Sequence, residues 1–500
     1  MRQALQRRWW ALGAIALGIL AVTLDVTVLT LALPTLAGAL RASESQLQWF
    51  VTAYTLAMVV GMLPAGLVAD RYGRKGLMVG AVVGFLVGSV ACAYSSGAVL
   101  FIVARILVGL AGAAMIVVAL SLVTVLFDEV ERPRAIGIWG AANFLGLPLG
   151  PIIGGWILSH LWWGWIFLVN IPVALMSLVA ILLLVPESRA ERAPRVDVAG
   201  LGLVSAALGG LMYGIIEAGV KGFGTAACLL PFGAGLVLLA IFGLWERRLG
   251  RRQAEPLVDL GVFASQSFTW SVLLSAFGAM ALFGVMFILP QYFEAVRALT
   301  PEAAGVRLLP LIAGLVLGAV PADRIAARVG TKSTVALGFL LIAGAGVVGT
   351  NTTTDTAAVV TAAWTFATGL GAGICFVTTA SSVVAELSAE RSGVGVALLQ
   401  TVIKLGPALG ASVLGSALSS GYRAHLVTAG LTASAAAGAR TSVFAALALA
   451  RGLGSGTLAA SAQRAFVWGM DDALELALAL AAAATLLTLG FLPSVRRDRR

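Results

Sequence analysis

A chain of 500 residues with 60% hydrophobic and only 11% charged side chains, against roughly a quarter charged in soluble domains, has too little polar surface to close over a water-soluble globule. A net charge of +10 would suggest nucleic acid as a partner of a soluble protein, but in so apolar a chain it marks the cytoplasmic loops of a membrane protein, and no nucleic-acid partner is expected. Cys92, Cys228 and Cys375 each sit in an apolar stretch with no metal-binding spacing, and His160 and His425 fall outside the apolar segments. No disulfide framework, metal site or cofactor is therefore expected.

A spanning helix needs about 20 apolar residues, and such runs are predicted near 11–33, 48–69, 77–95, 100–122, 135–158, 165–185, 198–219, 226–245, 268–290, 303–321, 333–350, 357–384, 394–418 and 471–492. The first follows Arg2, Arg7 and Arg8 but exceeds a signal-peptide core and carries Asp25, so it reads as a retained helix. With a cytoplasmic N-terminus, 23 of the 33 basic residues fall on inner segments, among them Arg71, Arg74, Lys75, Arg192, Arg195, Arg252, Arg391, Arg496, Arg497, Arg499 and Arg500. Eight fall on outer segments, Arg297 and Arg307 included. Basic residues at both ends require an even number of spans, which gives fourteen with both termini cytoplasmic. The Ala-, Ser-, Gly- and Thr-rich segment 419–467 reads as a long outer loop with short interfacial helices, because Thr441–Ala450 is apolar but too short to span.

An internal repeat is visible in two loops, GLVADRYGRKG at 66–76 and AVPADRIAARVGTKS at 319–333, each with Asp-Arg followed by basic residues and Gly. Eight spans separate them. The expected architecture is an all-α polytopic membrane protein of two six-helix bundles, 1–190 and 256–500, with two inserted helices in 191–255. Repeated halves around a central site are a transporter architecture.

Four stretches together resemble the major facilitator superfamily, and within it the fourteen-span drug:proton antiporter family. Gly66, Asp70, Arg71, Gly73, Arg74 and Lys75 match the cytoplasmic-loop signature. Asp25 and Thr27 in LDVTVLTLALP match the first-helix signature, Arg105 and Gly109 the fourth-helix signature, and GLPLGPIIGG at 146–155 the antiporter motif of the fifth helix. Weaker agreements such as LQWFVTAY (47–54), WIFLVNIP (165–172) and LPQYFEAVRALTPEAAGVRLLP (289–310) extend the resemblance over almost the whole chain. The sequence departs from the family pattern at Thr30, Val108, Gly164 and Glu294, so the substrate does not transfer by analogy.

Asp25 lies within a span, where a carboxylate costs about 2.5–3.5 kcal/mol on insertion scales; it needs a partner, water or a proton. Arg105, the one charge within the fourth span, is the natural partner, and protonation of Asp25 would alter that link and bias inward- against outward-facing states. A static pair that orients two helices is the alternative. The resemblance implies that the loop around Asp70 acts as a conformational latch, although topology alone accounts equally for its three cations. Gly146, Gly150 and Gly154, with Gly155 beside them, give a four-residue spacing for close helix approach, while Pro148 and Pro151 remove backbone donors and bend the helix. By resemblance this motif seals the protein against proton leak; a generic packing seam would look the same. Tyr54, Glu217, Glu294 and Lys404 are candidates for a substrate cavity, with helix packing, interfacial solvation and snorkelling as their alternatives.

These readings imply a proton-coupled exporter of amphiphilic or cationic drugs or antibiotics, expected as a monomer in the bilayer of a bacterial cytoplasmic membrane. A dedicated exporter of one metabolite or self-made antibiotic is the alternative. A membrane enzyme is disfavoured, since no GxSxG, HExxH or nucleotide-binding GxxxxGK[ST] stretch occurs, and the charges within spans are scattered singly.

Overall fold

The computed structural model describes residues 2–42, 44–128, 130–189, 197–251, 260–387 and 392–493, and these are almost entirely helical. Arg192, Arg195, Arg252, Arg391, Arg496, Arg497, Arg499 and Arg500 lie outside the described residues. The first helices are α1 Arg2–Ala39, α2 Glu44–Tyr72, α3 Arg74–Ala93, α4 Ala98–Leu126, α5 Arg132–His160, α6 Trp165–Leu168, α7 Asn170–Leu184, α8 Val198–Lys221 and α9 Ala226–Arg251. They are followed by α10 Gln266–Gln291, α11 Pro301–Arg307, α12 Leu309–Ala319, α13 Ala322–Val329, α14 Thr331–Gly349 and α15 Ala358–Ala385. The last four are α16 Ser392–His425, α17 Ala433–Ala439, α18 Val443–Leu453 and α19 Gly456–Phe491.

Among the described residues twelve stretches are long and apolar enough to cross a membrane, and the pair Ala303–Ala319 with Ala322–Val329, bent by 45°, makes a thirteenth if it counts as one span. Helix α5 occupies the position of a further predicted span and is 29 residues long.

The chain divides into two compact units, Met1–Leu273 with Val377–Lys404, and Leu274–Phe376 with Leu405–Arg500. Helices α8 and α9, predicted as an insertion, fall in the first. Hydrocarbon offers no hydrophobic drive for helix association, so close packing at small residues must hold such a bundle. In the first unit, Gly109 of α4 sits so near α2 that a Cβ there would lie 2.5 Å from the Tyr54 carbonyl oxygen. Gly210 of α8 is likewise held against the Pro231 carbonyl of α9. The opposite stripe of α4, Val99, Val103, Ile106 and Leu110, is exposed as a lipid-facing surface would be. In the second unit, Gly314 and Gly318 of α12 interlock with Gly369 and Gly373 of α15, each pair approaching the other helix's backbone.

The segments predicted as inner converge at one end of the first unit. Arg8 pairs with Glu131 at 2.5 Å, Arg134 lies over the Trp9 ring, and Arg7 and Lys75 donate to the carbonyls of Leu183 and Leu182. The internal repeat is visible in backbone geometry. Gly73 opens α3 at φ 116 and Gly330 opens α14 at φ 88, a region that favours glycine. Each glycine N–H donates to the carbonyl four residues back, Ala69 at 3.1 Å and Ala326 at 2.9 Å.

One expectation needs correction. The last helix begins at Gly456, with the Ser455 hydroxyl accepting from Leu458 N–H at 3.3 Å, and α16 continues to His425, so the segment between them is 426–455 and not 419–467. Alanine-rich sequence propagates a helix whether or not it is apolar enough for lipid, which is why hydropathy placed both ends wrongly. Within the segment α17 and α18 are short helices, as expected, tied down by the Tyr422 hydroxyl donating to the Ala439 carbonyl at 2.9 Å. Arg105, placed within the fourth span, lies seven residues from the start of α4, about 10 Å in at 1.5 Å per residue.

Candidate functional site

Asp25 and Arg105 come together in the first unit. Arg105 Nη1 donates to Asp25 Oδ2 at 2.5 Å, and both side chains are essentially without solvent contact. Three further groups complete the shell. Arg105 Nε donates to the Phe50 carbonyl at 3.2 Å, its guanidinium lies over the Tyr54 ring with 4.3 Å to the centroid, and Asn170 Nδ2 donates to Asp25 Oδ1 at 3.4 Å. Contributions from α1, α2, α4 and α7 thus fix one carboxylate and one guanidinium among rings such as Phe50 and Phe101, whose centroids are 4.4 Å apart. The Tyr54 hydroxyl and Asn170 Oδ1 are buried and have no hydrogen-bond partner among the described residues. The pair therefore sits beside polar atoms able to accept or donate when its own arrangement changes.

The other face of α1 packs on the glycine motif of α5. A Cβ at Gly146 would lie 2.7 Å from Thr23 Cβ and 3.0 Å from the Leu24 nitrogen, and one at Gly150 would collide with Thr27 Oγ1. The threonines also bond across this seam, Thr27 Oγ1 to the Gly146 carbonyl at 3.1 Å and Thr23 Oγ1 to Asn143 Oδ1 at 2.9 Å. Gly154 is buried and Gly155 partly exposed; the side chains of Pro148 and Pro151 lie outside those described.

In the loop motif, Asp70 ends α2 and accepts from Arg74 Nη2 at 2.8 Å, both buried. The positive φ of Gly73 places Arg74 N–H on the Ser188 carbonyl at 2.8 Å. Glu187 closes the loop by accepting from Lys75 N–H at 3.2 Å. Gly66 is buried inside α2, and Arg71 lies over the Tyr72 ring.

Of the remaining candidates Tyr54 joins the Asp25–Arg105 cluster, whereas Glu217, Glu294 and Lys404 are not among the contacts described there. The Tyr54 ring, expected as a cavity wall for cationic substrates, has its face occupied by Arg105. Glu217 of α8 is buried, contrary to an interfacial solvated position. Glu294 lies half-buried in a π-helical turn, Tyr292–Val296, that ends α10. Lys404 lies in α16 and forms no ion pair among the described residues. Sequence reasoning missed Asn170 and Glu187. An isolated Asn at the start of an apolar run was the available signal for the first; nothing local distinguishes the second, whose partner in the loop, Lys75, is 112 positions away.

A buried ion pair, a glycine seam and a tightly bonded loop sit together in one unit of apolar helices long enough to cross a membrane. The sequence profile of the Major Facilitator Superfamily matches residues 15–411, and the chain belongs to that family. The multidrug efflux pump LfrA of Mycolicibacterium smegmatis is 34% identical over 493 residues, covering 96% of this chain and 95% of its own. The tetracenomycin C resistance and export protein of Streptomyces glaucescens is 35% identical, covering 83% of this chain and 76% of its own. The puromycin resistance protein pur8 of Streptomyces alboniger is 32% identical, covering 86% and 85%. Among solved structures, the proton:xylose symporter XylE superposes with a TM-score of 0.62 at 15% identity, covering 98% of this chain and 96% of that one. The human organic anion transporter MFSD10 gives 0.61 at 16%, covering 95% and 99%. These structures establish the major facilitator fold, and the chain is a multi-pass membrane protein.

Proposed function

We propose that this protein is a proton-coupled exporter of amphiphilic or cationic drugs or antibiotics, of the fourteen-span drug:proton antiporter type. Helix α5 would supply the fourteenth span, with both termini on the cytoplasmic side of a bacterial cytoplasmic membrane and the monomer as the working unit. The observation that carries the reading is the dry Asp25–Arg105 pair. A carboxylate bonded to a guanidinium that never deprotonates has one chemical freedom, which is to take up a proton and loosen the bond. Asp25 is therefore the coupling group and Arg105 its fixed counter-charge, while the Asp70–Arg74 loop acts conformationally.

The energetics suffice without a nucleotide, since each elementary charge moved is worth about 2.3 kcal/mol per 100 mV and each pH unit about 1.4 kcal/mol. Similarity to proteins named as multidrug, puromycin and tetracenomycin C resistance proteins supports an outward direction. The antibiotic-specific names among them also favour a second reading, a dedicated exporter of a single self-made compound. Transport without chemical change of the cargo separates either from a membrane enzyme.

Purified protein in liposomes with a trapped pH dye, an imposed proton gradient and a panel of lipophilic cations and antibiotics tests the proposal. Compound-triggered dissipation of the gradient is expected for wild type and not for Asp25→Asn. Equal responses from both proteins would remove Asp25 from coupling. A response to one compound alone would select the dedicated reading.

A further inference from the structure

We propose that the second unit binds the phosphodiester headgroup of an anionic phospholipid, in a cavity of about 300 Å³ lined by Arg297, Arg307, Tyr292, Thr356 and Thr361. The site is independent of the exported cargo and of proton coupling. Its position follows from the helix ends. The span containing α10 stops at Val296 and that of α15 begins at Ala358, so the cavity lies where hydrocarbon gives way to headgroups.

Among the described residues its lining carries two arginines and no carboxylate. Arg297 Nη1 donates to the Thr354 carbonyl at 2.6 Å, which fixes the guanidinium while leaving further N–H donors of its fork available. Arg307, exposed at the end of α11, lines the same cavity. Neither arginine is in an ion pair among the described residues. The neighbouring Asp355 carboxylate instead accepts from its own neighbour, Thr354 Oγ1, at 3.1 Å. The first turn of α15, a 28-residue helix, opens on the cavity at Ala358 and adds its positive end to the field. Two guanidinium forks match phosphate oxygens better than any monodentate cation would.

The backbone is shaped to hold this arrangement. After the π-helical turn, Ala298 adopts φ 53, a left-handed conformation unfavourable for a residue with a Cβ. Gln463 Nε2 from α19 donates to the carbonyls of Ala295 at 3.1 Å and Val296 at 3.4 Å, fastening the turn from which Arg297 projects. The rest of the wall is apolar, with Leu299, Val306 and Pro310 placed to meet glycerol and the first acyl carbons. The volume is at the bottom of the range of about 300–1,000 Å³ for drug-sized ligands, which suits a headgroup whose tails remain in the bilayer better than a polycyclic antibiotic. Arg297 and Arg307 are also two of the eight cations that the charge rule places on the outer side.

Native mass spectrometry of the delipidated full chain, titrated with phosphatidylglycerol, phosphatidylcholine or inorganic phosphate, tests the assignment. Wild type is expected to retain one phosphatidylglycerol and to bind phosphatidylcholine more weakly. Arg307→Ala should weaken phosphatidylglycerol about fivefold, and Arg297→Ala with Arg307→Ala about 30-fold, from roughly fivefold per basic residue. Arg451→Ala, on another outer segment, should leave binding unchanged. Because Arg297 also holds Thr354, melting temperature monitors folding of the double variant, and Arg307→Ala decides by itself. Unchanged phosphatidylglycerol affinity in Arg307→Ala, or equal affinity for the two lipids, would overturn the proposal. So would millimolar inorganic phosphate raising the melting temperature as far as the lipid does, which would mark a site for small free anions.

Discussion

Removing one member of the Asp25–Arg105 pair should cost far more than removing both. At the 2.5 Å separation and an effective dielectric of about 20, Coulomb attraction amounts to about 7 kcal/mol. Desolvating the two ions costs several kcal/mol each, so attraction and desolvation come close to cancelling. With Asp25→Leu, Arg105 keeps the Phe50 carbonyl and the Tyr54 face but is left as a buried charge without a counter-ion, at a cost of about 3–5 kcal/mol. Arg105→Met strands Asp25 with only the weak 3.4 Å donor from Asn170 and should cost a similar amount. The double variant should be more stable than either single variant, with a coupling energy above about 2 kcal/mol. Unfolding of purified protein in mixed detergent, followed by tryptophan fluorescence over a titration of denaturing detergent, measures the cycle. If the double variant loses the sum of the two single losses to within about 0.5 kcal/mol, the pair is not electrostatically coupled and the reasoning fails.

Gly150→Ala should destabilise the α1–α5 seam by about 1–3 kcal/mol, as overpacking does, because its Cβ collides with Thr27; liposomes carrying the variant should leak protons without substrate, and a tight, fully coupled variant would contradict the seam. Tyr422→Phe removes the bond to the Ala439 carbonyl and should cost about 1 kcal/mol, seen as faster limited proteolysis within 426–455; unchanged cleavage would show that the bond does not hold α17. The two repeated turns should respond unequally. Asp70→Asn leaves Arg74 buried without that carboxylate and should cost about 3–5 kcal/mol, whereas Arg328→Gln, in the exposed last turn of α13, should cost under about 1 kcal/mol; equal shifts in melting temperature would refute the distinction.

Hydropathy located the helices because each span must bury about 20 residues in lipid whatever it packs against. The charge pair was legible for a related reason: an ion in hydrocarbon requires a partner, and few were on offer. Packing partners were less accessible. Nothing in the local sequence indicates that Glu187 closes the turn after α2, or that Gln463 fastens the π-helical end of α10. Asn170 stood inside a quoted stretch, yet its role depends on α7 crossing α1 beside Asp25. The early start of α19 escaped because helix propensity and lipid solubility are separate properties, and only the second was read.

With Asp25 as the coupling group proposed above, the geometry of α1 would tie proton binding to the glycine motif of α5 through direct contact. At about 100° per residue, Thr23 and Thr27 share a face that meets Gly146 and Gly150, while Asp25 between them points to the opposite side, toward Arg105. One short stretch is thus held on one flank by a charge and on the other by a glycine seam with its own hydrogen bonds. Protonation of Asp25 would remove the attraction on that flank and leave Arg105 a buried charge without its counter-ion, a state about 3–5 kcal/mol less favourable from which α1 is driven to move. The seam admits no extra atom, so α1 cannot slide over α5 by small increments and must either stay seated or move together with it. On the proposed mechanism a proton taken up at Asp25 is read out by the α1–α5 pair as one body, which would make the carboxylate of the first helix and the glycines of the fifth parts of a single coupling device.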